Sequence, residues 1–309
     1  MPNILFAAGP RMWETYRSPL KTALDAAGIA HDLRTDFAPD QVDYIVYAPS
    51  STLQDFRPYT RTKAVLNLWA GVEGIVGNDT LTQPLARMVD HGLRQGMTEW
   101  VTGQVLRHHL DIDYFLARQS GDWAPKVPPL AQDRPVALLG LGELGQACAG
   151  ALGAIGFPLR GWSRNPKSLP GIETFHGPRG LTECLSQAAT VVLLLPLTPS
   201  TENLLNATTL AALPAGAVIV NPGRGGLIDD AALLAALDAG RITHATLDVF
   251  RQEPLPADHP YWANPRVTVT PHIASETRPD TASQVIAENI VRAEAGQPLL
   301  HRVDREQGY

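Results

Sequence analysis

The run Arg134-Pro-Val-Ala-Leu-Leu-Gly-Leu-Gly-Glu-Leu-Gly-Gln-Ala-Cys148 passes from an apolar strand through a glycine turn into a helix. Val136 to Leu139 is the strand, Gly140-Leu-Gly142-Glu143-Leu144-Gly145 is the turn, and a helix-forming run continues to about Leu152. The three glycines have different tasks. Gly140 permits the sharp turn, Gly142 lets a pyrophosphate approach the backbone, and Gly145 lets the helix lie close to the strand. A phosphate placed there meets a helix N-terminus, where unpaired N–H groups and the helix dipole favour negative charge. GxGxxG alone is a weak signal, but a strand before it and a helix after it predict a dinucleotide site.

Working outward, strands and helices alternate on both sides of this motif. Before it, Asn3–Ala8, Tyr44–Tyr47, Ala64–Leu68 and Pro84–Val89 read as strands, and Ser18–Ala27 as a helix capped by Ser18 with Pro19 at its first position. Met97–Arg118 reads as one long helix leading into a Pro-rich break at 122–129. After the motif, strands are expected at Pro158–Trp162, Val191–Leu195, Ala217–Val220, His244–Val249 and Val267–Thr270, making six with the first. This order implies parallel sheets covered by helices, an α/β chain of two doubly wound domains. A final helix, Thr281–Ala295, follows the last strand of an already complete sheet. It is therefore expected to return to the first domain, which becomes discontinuous: residues 1–96 with 278–309, around a cofactor domain at 97–277.

Composition narrows the function classes. The net charge of −6 and the lack of any Lys/Arg block argue against a nucleic-acid surface. The longest apolar run, Val191–Leu195, stops at Pro196, so no membrane span is expected. Met1–Gly9 lacks a basic n-region and reads as a strand, not a signal. Two cysteines, Cys148 and Cys184, form no framework, which fits a reducing cytoplasm. His108 and His109 are adjacent on a helix and point apart, and His31, His91, His176, His244, His259 and His301 lack ligand spacing, so no metal is expected.

The form of the dinucleotide is read at the end of the next strand. An NAD site places an Asp or Glu there to accept bonds from the ribose hydroxyls. This chain has Trp162-Ser163-Arg164-Asn-Pro-Lys167 instead. A carboxylate repels a 2′-phosphate, whereas Arg pairs with it through two parallel hydrogen bonds. NADP, as NADPH over NADH, is the expected cofactor; the other reading makes Arg164 and Lys167 solvated loop charges.

Three residues follow three successive strand ends, where ligands of parallel sheets bind. Arg224 lies in Asn221-Pro222-Gly223-Arg224-Gly-Gly226, Glu253 in Asp248-Val-Phe-Arg-Gln-Glu253-Pro254, and His272 in Thr270-Pro-His272-Ile-Ala274. Reduction of a ketone needs a proton donor to its oxygen, for which His is suited. A neighbouring Glu fixes its tautomer and favours its protonated form. Arg can hold the carboxylate of a 2-oxo acid and polarise the ketone.

These motifs, in order and spacing, resemble those of the D-isomer-specific 2-hydroxyacid dehydrogenases, and the resemblance covers essentially the whole chain. Gly156–Arg164, Asp248–Pro256 and Pro271–Ala274 followed by Thr277-Arg-Pro279 are similar to the glyoxylate/hydroxypyruvate reductase branch. The resemblance implies a Rossmann cofactor domain and a flavodoxin-like substrate domain. It implies that Arg224 binds substrate, that His272 is the proton donor paired with Glu253, and that Asp248 approaches the nicotinamide. Trp69-Ala70-Gly71-Val72 matches the family loop whose backbone N–H groups hold the carboxylate, although Trp69 stands where a small residue is usual. Tyr47 matches a pocket aromatic and reads equally well as a core strand residue. Met97, Leu195 and Pro196 match segments near the cofactor. The implied protein is a cytoplasmic homodimer that reduces glyoxylate or hydroxypyruvate to the 2-hydroxy acid. A bulkier 2-oxo acid, or a cofactor-sensing protein without catalysis, remains open at this stage.

Overall fold

In a computed structural model, which describes residues 1–308, the chain divides into two compact units, Met1–Leu93 with Glu276–Tyr309, and Arg94–Ser275. Tyr309, the end of the expected substrate domain, lies outside the described residues.

The first unit holds a five-stranded sheet of β1 (Asn3–Ala7), β2 (Asp32–Arg34), β3 (Tyr44–Tyr47), β4 (Ala64–Asn67) and β5 (Leu85–Ala86). All pairs are parallel and the order is β2-β1-β3-β4-β5, the flavodoxin-like arrangement. β3 and β4 are buried on both faces, which is why they read as unbroken apolar runs. The helix Pro279–Glu294 packs Ala282, Ile286, Ala287 and Ile290 into the same core as Leu20 and Leu24 of the first helix. At its far end Glu294 accepts from Tyr44 Oη (2.6 Å) and Lys63 Nζ (2.7 Å), pinning the helix to the ends of β3 and β4.

Two helix expectations for this part of the chain need correction. The first helix spans Pro10–Ala26, with Pro10 in its first turn and Pro19 in its interior. Tyr16, Leu20 and Leu24 recur at four-residue intervals on one buried face, and Met12 and Trp13 extend it toward the N-terminus. That burial carries the helix across a proline that removes one backbone bond. The long helix runs His91–His109 and ends well short of Arg118. Asp90 starts it by accepting from the N–H groups of Gly92 and Leu93. Asp111, in the left-handed region at φ 54, separates it from a short helix, Ile112–Leu116.

The second unit holds β6 (Val136–Leu139), β7 (Leu159–Ser163), β8 (Ile172–His176), β9 (Thr190–Leu193), β10 (Ala217–Asn221), β11 (Ile242–Leu247) and β12 (Val267–Val269). The sheet is parallel throughout, in the order β12-β11-β10-β9-β6-β7-β8. Numbered within the unit this is 3-2-1-4-5-6 with a seventh strand appended, a Rossmann sheet whose order reverses between β6 and β9. Seven strands replace the six expected. β8 escaped notice because its Ile-Glu-Thr-Phe-His sequence is an edge strand of mixed burial.

Candidate active site

The glycine turn is built as its sequence demands. Gly140 has φ +112, and a side chain there would press within 2.6 Å of the Leu194 carbonyl oxygen. A Cβ on Gly145 would lie 1.9 Å from the Gly140 carbonyl oxygen, so only glycine lets the helix Glu143–Ile155 begin this close to β6. Gly142, the N-cap, faces open space with nothing within 4 Å, and no side chain caps the helix. The turn is closed on its protein side and open on its solvent side, which fits a pyrophosphate lying on the helix N-terminus. Glu143 is exposed in the first helical turn and Leu144 packs on the core beneath it.

Beyond β7, Ser163 is buried and donates to the Asn165 carbonyl, shaping the loop that carries Arg164 at the surface. Lys167 Nζ donates to the Leu141 carbonyl at 2.8 Å, so the second-strand loop is tied directly to the glycine turn. Cationic groups therefore stand where an NAD site would hold an acid. The Trp162 ring is buried in the core and its Nε1 donates to the Gly177 carbonyl. Its backbone carbonyl, accepting from Gly140 N–H, supports the turn. Met97 is likewise a core residue, packed with Val101, Val105 and Cys148. Leu195 and Pro196 follow β9 at the reversal of strand order, with Pro196 fixed through a 2.7 Å bond from Thr201 Oγ1 to its carbonyl.

The three chemical residues sit on loops after β10, β11 and β12. Asn221, fully buried, clamps the first loop: its Oδ1 accepts from Gly223 N–H and its Nδ2 donates to the Arg224 carbonyl. Pro222 and Gly223 are buried beneath Arg224. A Cβ on Gly225 would fall 2.0 Å from the Phe250 carbonyl carbon, so this loop is laid against the backbone that leads to Glu253. Arg224 is half-buried, and its Nη1 donates to the Gly223 carbonyl at 2.7 Å.

Glu253 is fixed at both oxygens. Oε1 accepts from Phe250 N–H (2.8 Å) and Oε2 meets His272 Nδ1 at 2.7 Å. With Nδ1 committed to the carboxylate, Nε2 is the imidazole nitrogen turned to a ligand. His272 itself has φ +55, a conformation non-glycine residues rarely adopt. Asp248 holds it there. The His272 N–H donates to the Asp248 carbonyl, and the wholly buried Asp248 carboxylate accepts from Thr270 Oγ1 (2.6 Å), Ile273 N–H (2.9 Å) and Ala274 N–H (2.9 Å). Both carboxylate oxygens thus accept from the 270–274 loop.

In the first unit, none of the N–H groups of Trp69 to Val72 donates a hydrogen bond within the described residues. Asn67 explains their exposure. Buried at the end of β4, it donates through Nδ2 to the carbonyls of Trp69 (2.8 Å) and Gly71 (3.1 Å), turning the carbonyls inward. Ala70 and Gly71 are partly exposed and Trp69 is 41% exposed. Asn67 went unnoticed in the sequence, although an amide ending the apolar run Ala64-Val-Leu was a usable signal. Tyr47 is buried and edge-on to Phe56 at 5.5 Å, as its core reading expects.

Comparison with known proteins follows this geometry. The profile of the D-isomer specific 2-hydroxyacid dehydrogenase NAD binding domain matches residues 102–274. A glyoxylate/hydroxypyruvate reductase A from Yersinia enterocolitica is 38% identical, covering 99% of this chain and 100% of its own. A D-isomer specific 2-hydroxyacid dehydrogenase from Xanthobacter autotrophicus, solved with NADPH and MES, is 40% identical with a TM-score of 0.92, over 100% of this chain and 99% of its own. An NADPH-dependent glyoxylate/hydroxypyruvate reductase from Sinorhizobium meliloti, solved with NADP and sulfate, is 32% identical with a TM-score of 0.84, over 100% of both chains. By motif, site geometry and similarity along its whole length, the chain belongs to the D-isomer specific 2-hydroxyacid dehydrogenases.

Proposed function

We propose that this protein reduces small 2-oxo acids, glyoxylate and hydroxypyruvate foremost, to the D-2-hydroxy acids at the expense of NADPH. The observation that carries the reading is the 2.7 Å pair of His272 Nδ1 and Glu253 Oε2, on a loop that abuts the Arg224 loop. NADP is the cofactor, as in the Xanthobacter and Sinorhizobium relatives. The turn Gly140–Gly145 holds its pyrophosphate, and Ser163, Arg164 and Lys167 take the 2′-phosphate. The unit Arg94–Ser275 is then the cofactor domain, and the unit carrying Trp69–Val72 the substrate domain.

Bound NADPH supplies the hydride. Arg224 pairs with the substrate carboxylate and draws electron density toward the ketone oxygen. In the first unit, the N–H groups of Ala70 and Gly71, which donate to no other described residue, are suited by themselves to hold a carboxylate. His272 donates the Nε2 proton to the ketone oxygen as it becomes a hydroxyl, and takes it back in the oxidative direction. Glu253 stabilises the protonated ring and holds its tautomer.

A panel of 2-oxo acids, with NADPH and NADH oxidation followed by absorbance, tests the reading. Turnover of glyoxylate and hydroxypyruvate with NADPH is expected. Preference for a bulkier acid would shift the substrate class, with Trp69 as the residue to examine, and no turnover of any 2-oxo acid would refute catalysis. A His272→Ala protein that keeps most of its activity would remove the proton donor.

A homodimer is part of the same proposal. Leu116, Trp123, Val127 and Leu130 are 62–95% exposed within one short stretch, an apolar surface suited to a second copy of the chain. Light scattering of the wild type should give a dimer and Trp123→Asp a monomer; a monomeric wild type would refute this. Two buried thiols, Cys148 and Cys184, support a cytoplasmic location, which cell fractionation checks.

A further inference from the structure

His108 and Asp113, five residues apart, come together with the sequence-distant His244, on elements other than the loops of Arg224, Glu253 and His272. One ring nitrogen from each histidine and one Asp113 oxygen lie within 4.8 Å of one another. His108 is in the last turn of the helix His91–His109, Asp113 is in the first turn of the next, and His244 is on β11. His244 precedes Asp248 by four residues, about 13 Å along an extended strand. We propose that His108, His244 and Asp113 form a binding site for one divalent transition-metal ion of the Zn²⁺, Co²⁺ or Ni²⁺ type. Two imidazoles and a carboxylate are the donor set such borderline ions select, and solvent completes the coordination.

The surroundings of the three groups match this use. Each imidazole has its Nε2 on a threonine hydroxyl, His108 on Thr246 and His244 on Thr268, both at 2.8 Å. Ligation through Nδ1 selects the tautomer in which Nε2–H donates to the hydroxyl, the arrangement that orients and strengthens a histidine ligand. The two rings already face each other, with centroids 4.7 Å apart. Arg107 donates twice to Asp113 Oδ1 (2.9 and 2.7 Å), which orients the carboxylate and leaves Oδ2 for a cation. A tetrahedral ion separates its ligand atoms by about 3.3 Å. The side chains therefore draw inward by up to about 1.5 Å on binding.

The site was invisible to spacing rules because its ligands are linked only by tertiary structure. It departs from the expectation, drawn from those rules, that the chain binds no metal. The test uses the full chain stripped with chelator. ZnCl₂ alone is titrated by calorimetry, and CoCl₂ is followed by visible absorption. One ion per chain should bind, and binding should persist in His272→Ala. His244→Ala and Asp113→Asn should each weaken it on the order of 10–100-fold. Asp113→Asn, on a partly exposed short helix, guards against a misfolded His244 variant, and circular dichroism checks both. No saturable uptake, uptake unchanged in both variants, or uptake lost with His272→Ala would each overturn the proposal.

Discussion

Asp248→Asn tests whether the geometry of His272 is imposed from below. Both Asp248 oxygens accept from backbone N–H groups, Oδ1 from Ile273 and Oδ2 from Ala274, and Oδ1 also accepts from Thr270 Oγ1. An asparagine has one acceptor and one donor end. Whichever way its amide is turned, an –NH₂ meets a backbone N–H, the part-buried one of Ile273 or the buried one of Ala274. Losing a hydrogen bond to a charged group costs about 1.5–3 kcal/mol, and a stranded buried donor about 1–3 kcal/mol. The loop has a way to escape, because His272 is held at φ +55, a conformation that stores about 1 kcal/mol or more. Relaxation carries His272 away from its 2.7 Å contact with Glu253. If about 1.4–2.8 kcal/mol of the loss appears in the transition state, kcat/KM falls roughly 10- to 100-fold. The assay is steady-state NADPH oxidation with glyoxylate, paired with thermal melting and NADPH titration by fluorescence. NADPH affinity should change little, since the Gly140–Gly145 turn is untouched. A protein that melts earlier yet keeps kcat/KM within about twofold of wild type would refute the argument, leaving Asp248 a core residue only.

Other outcomes follow from the same structure. Arg164→Glu with Lys167→Glu should weaken NADPH on the order of 100-fold, from about 1.4 kcal/mol at each of two charge-assisted contacts, while NADH is affected far less. Equal loss for both cofactors would refute the 2′-phosphate assignment. Gly225→Ala places a Cβ 2.0 Å from the Phe250 carbonyl carbon, so the Arg224 and Glu253 loops must part. Soluble, folded protein with activity down at least about tenfold is expected, with KM rising because Arg224 moves. Unchanged kinetics would show that the close approach is immaterial. Lys63 first, and then Tyr44, hold the Glu294 carboxyl below its usual range. Its folded pKa lies below its unfolded one, so the contribution is present above about pH 4.5 and is lost as pH falls through the folded value. Melting temperatures of Glu294→Gln and wild type should differ at pH 7 and converge in acid. A difference independent of pH would assign the effect to packing.

What the sequence made legible was whatever depends on the chain's own order. Glycines at fixed intervals, apolar runs buried on both faces, and chemical residues placed just after strand ends all report local geometry. The Gly140–Gly145 turn and the loops bearing Arg224, Glu253 and His272 could therefore be read directly. The preference for NADP was legible for a related reason: a strand end without an acid does not repel a 2′-phosphate. The edge strand β8 was lost because edges are only half-buried and carry no clean period.

What sequence order leaves open is the direction of a side chain. Tyr47, Trp162 and Met97 occupy strand-end or helix positions close to functional segments, and each turns its bulk into a core. Large apolar groups gain more from burial than from lining a wet cleft, so in the absence of a polar demand the core wins. Asp248 shows the converse. Its carboxylate, buried after a strand end, satisfies three donors of the 270–274 loop, which sequence order alone does not reveal. Asn67 does for Trp69–Val72 what Asp248 does for His272, fixing a functional backbone from a buried position. In both places the residue proposed to meet substrate is recognisable by its chemistry. The residue that positions it was recognisable only as a polar group at the end of an apolar strand, where burial obliges it to find partners and the nearest partners are the loop that carries the function.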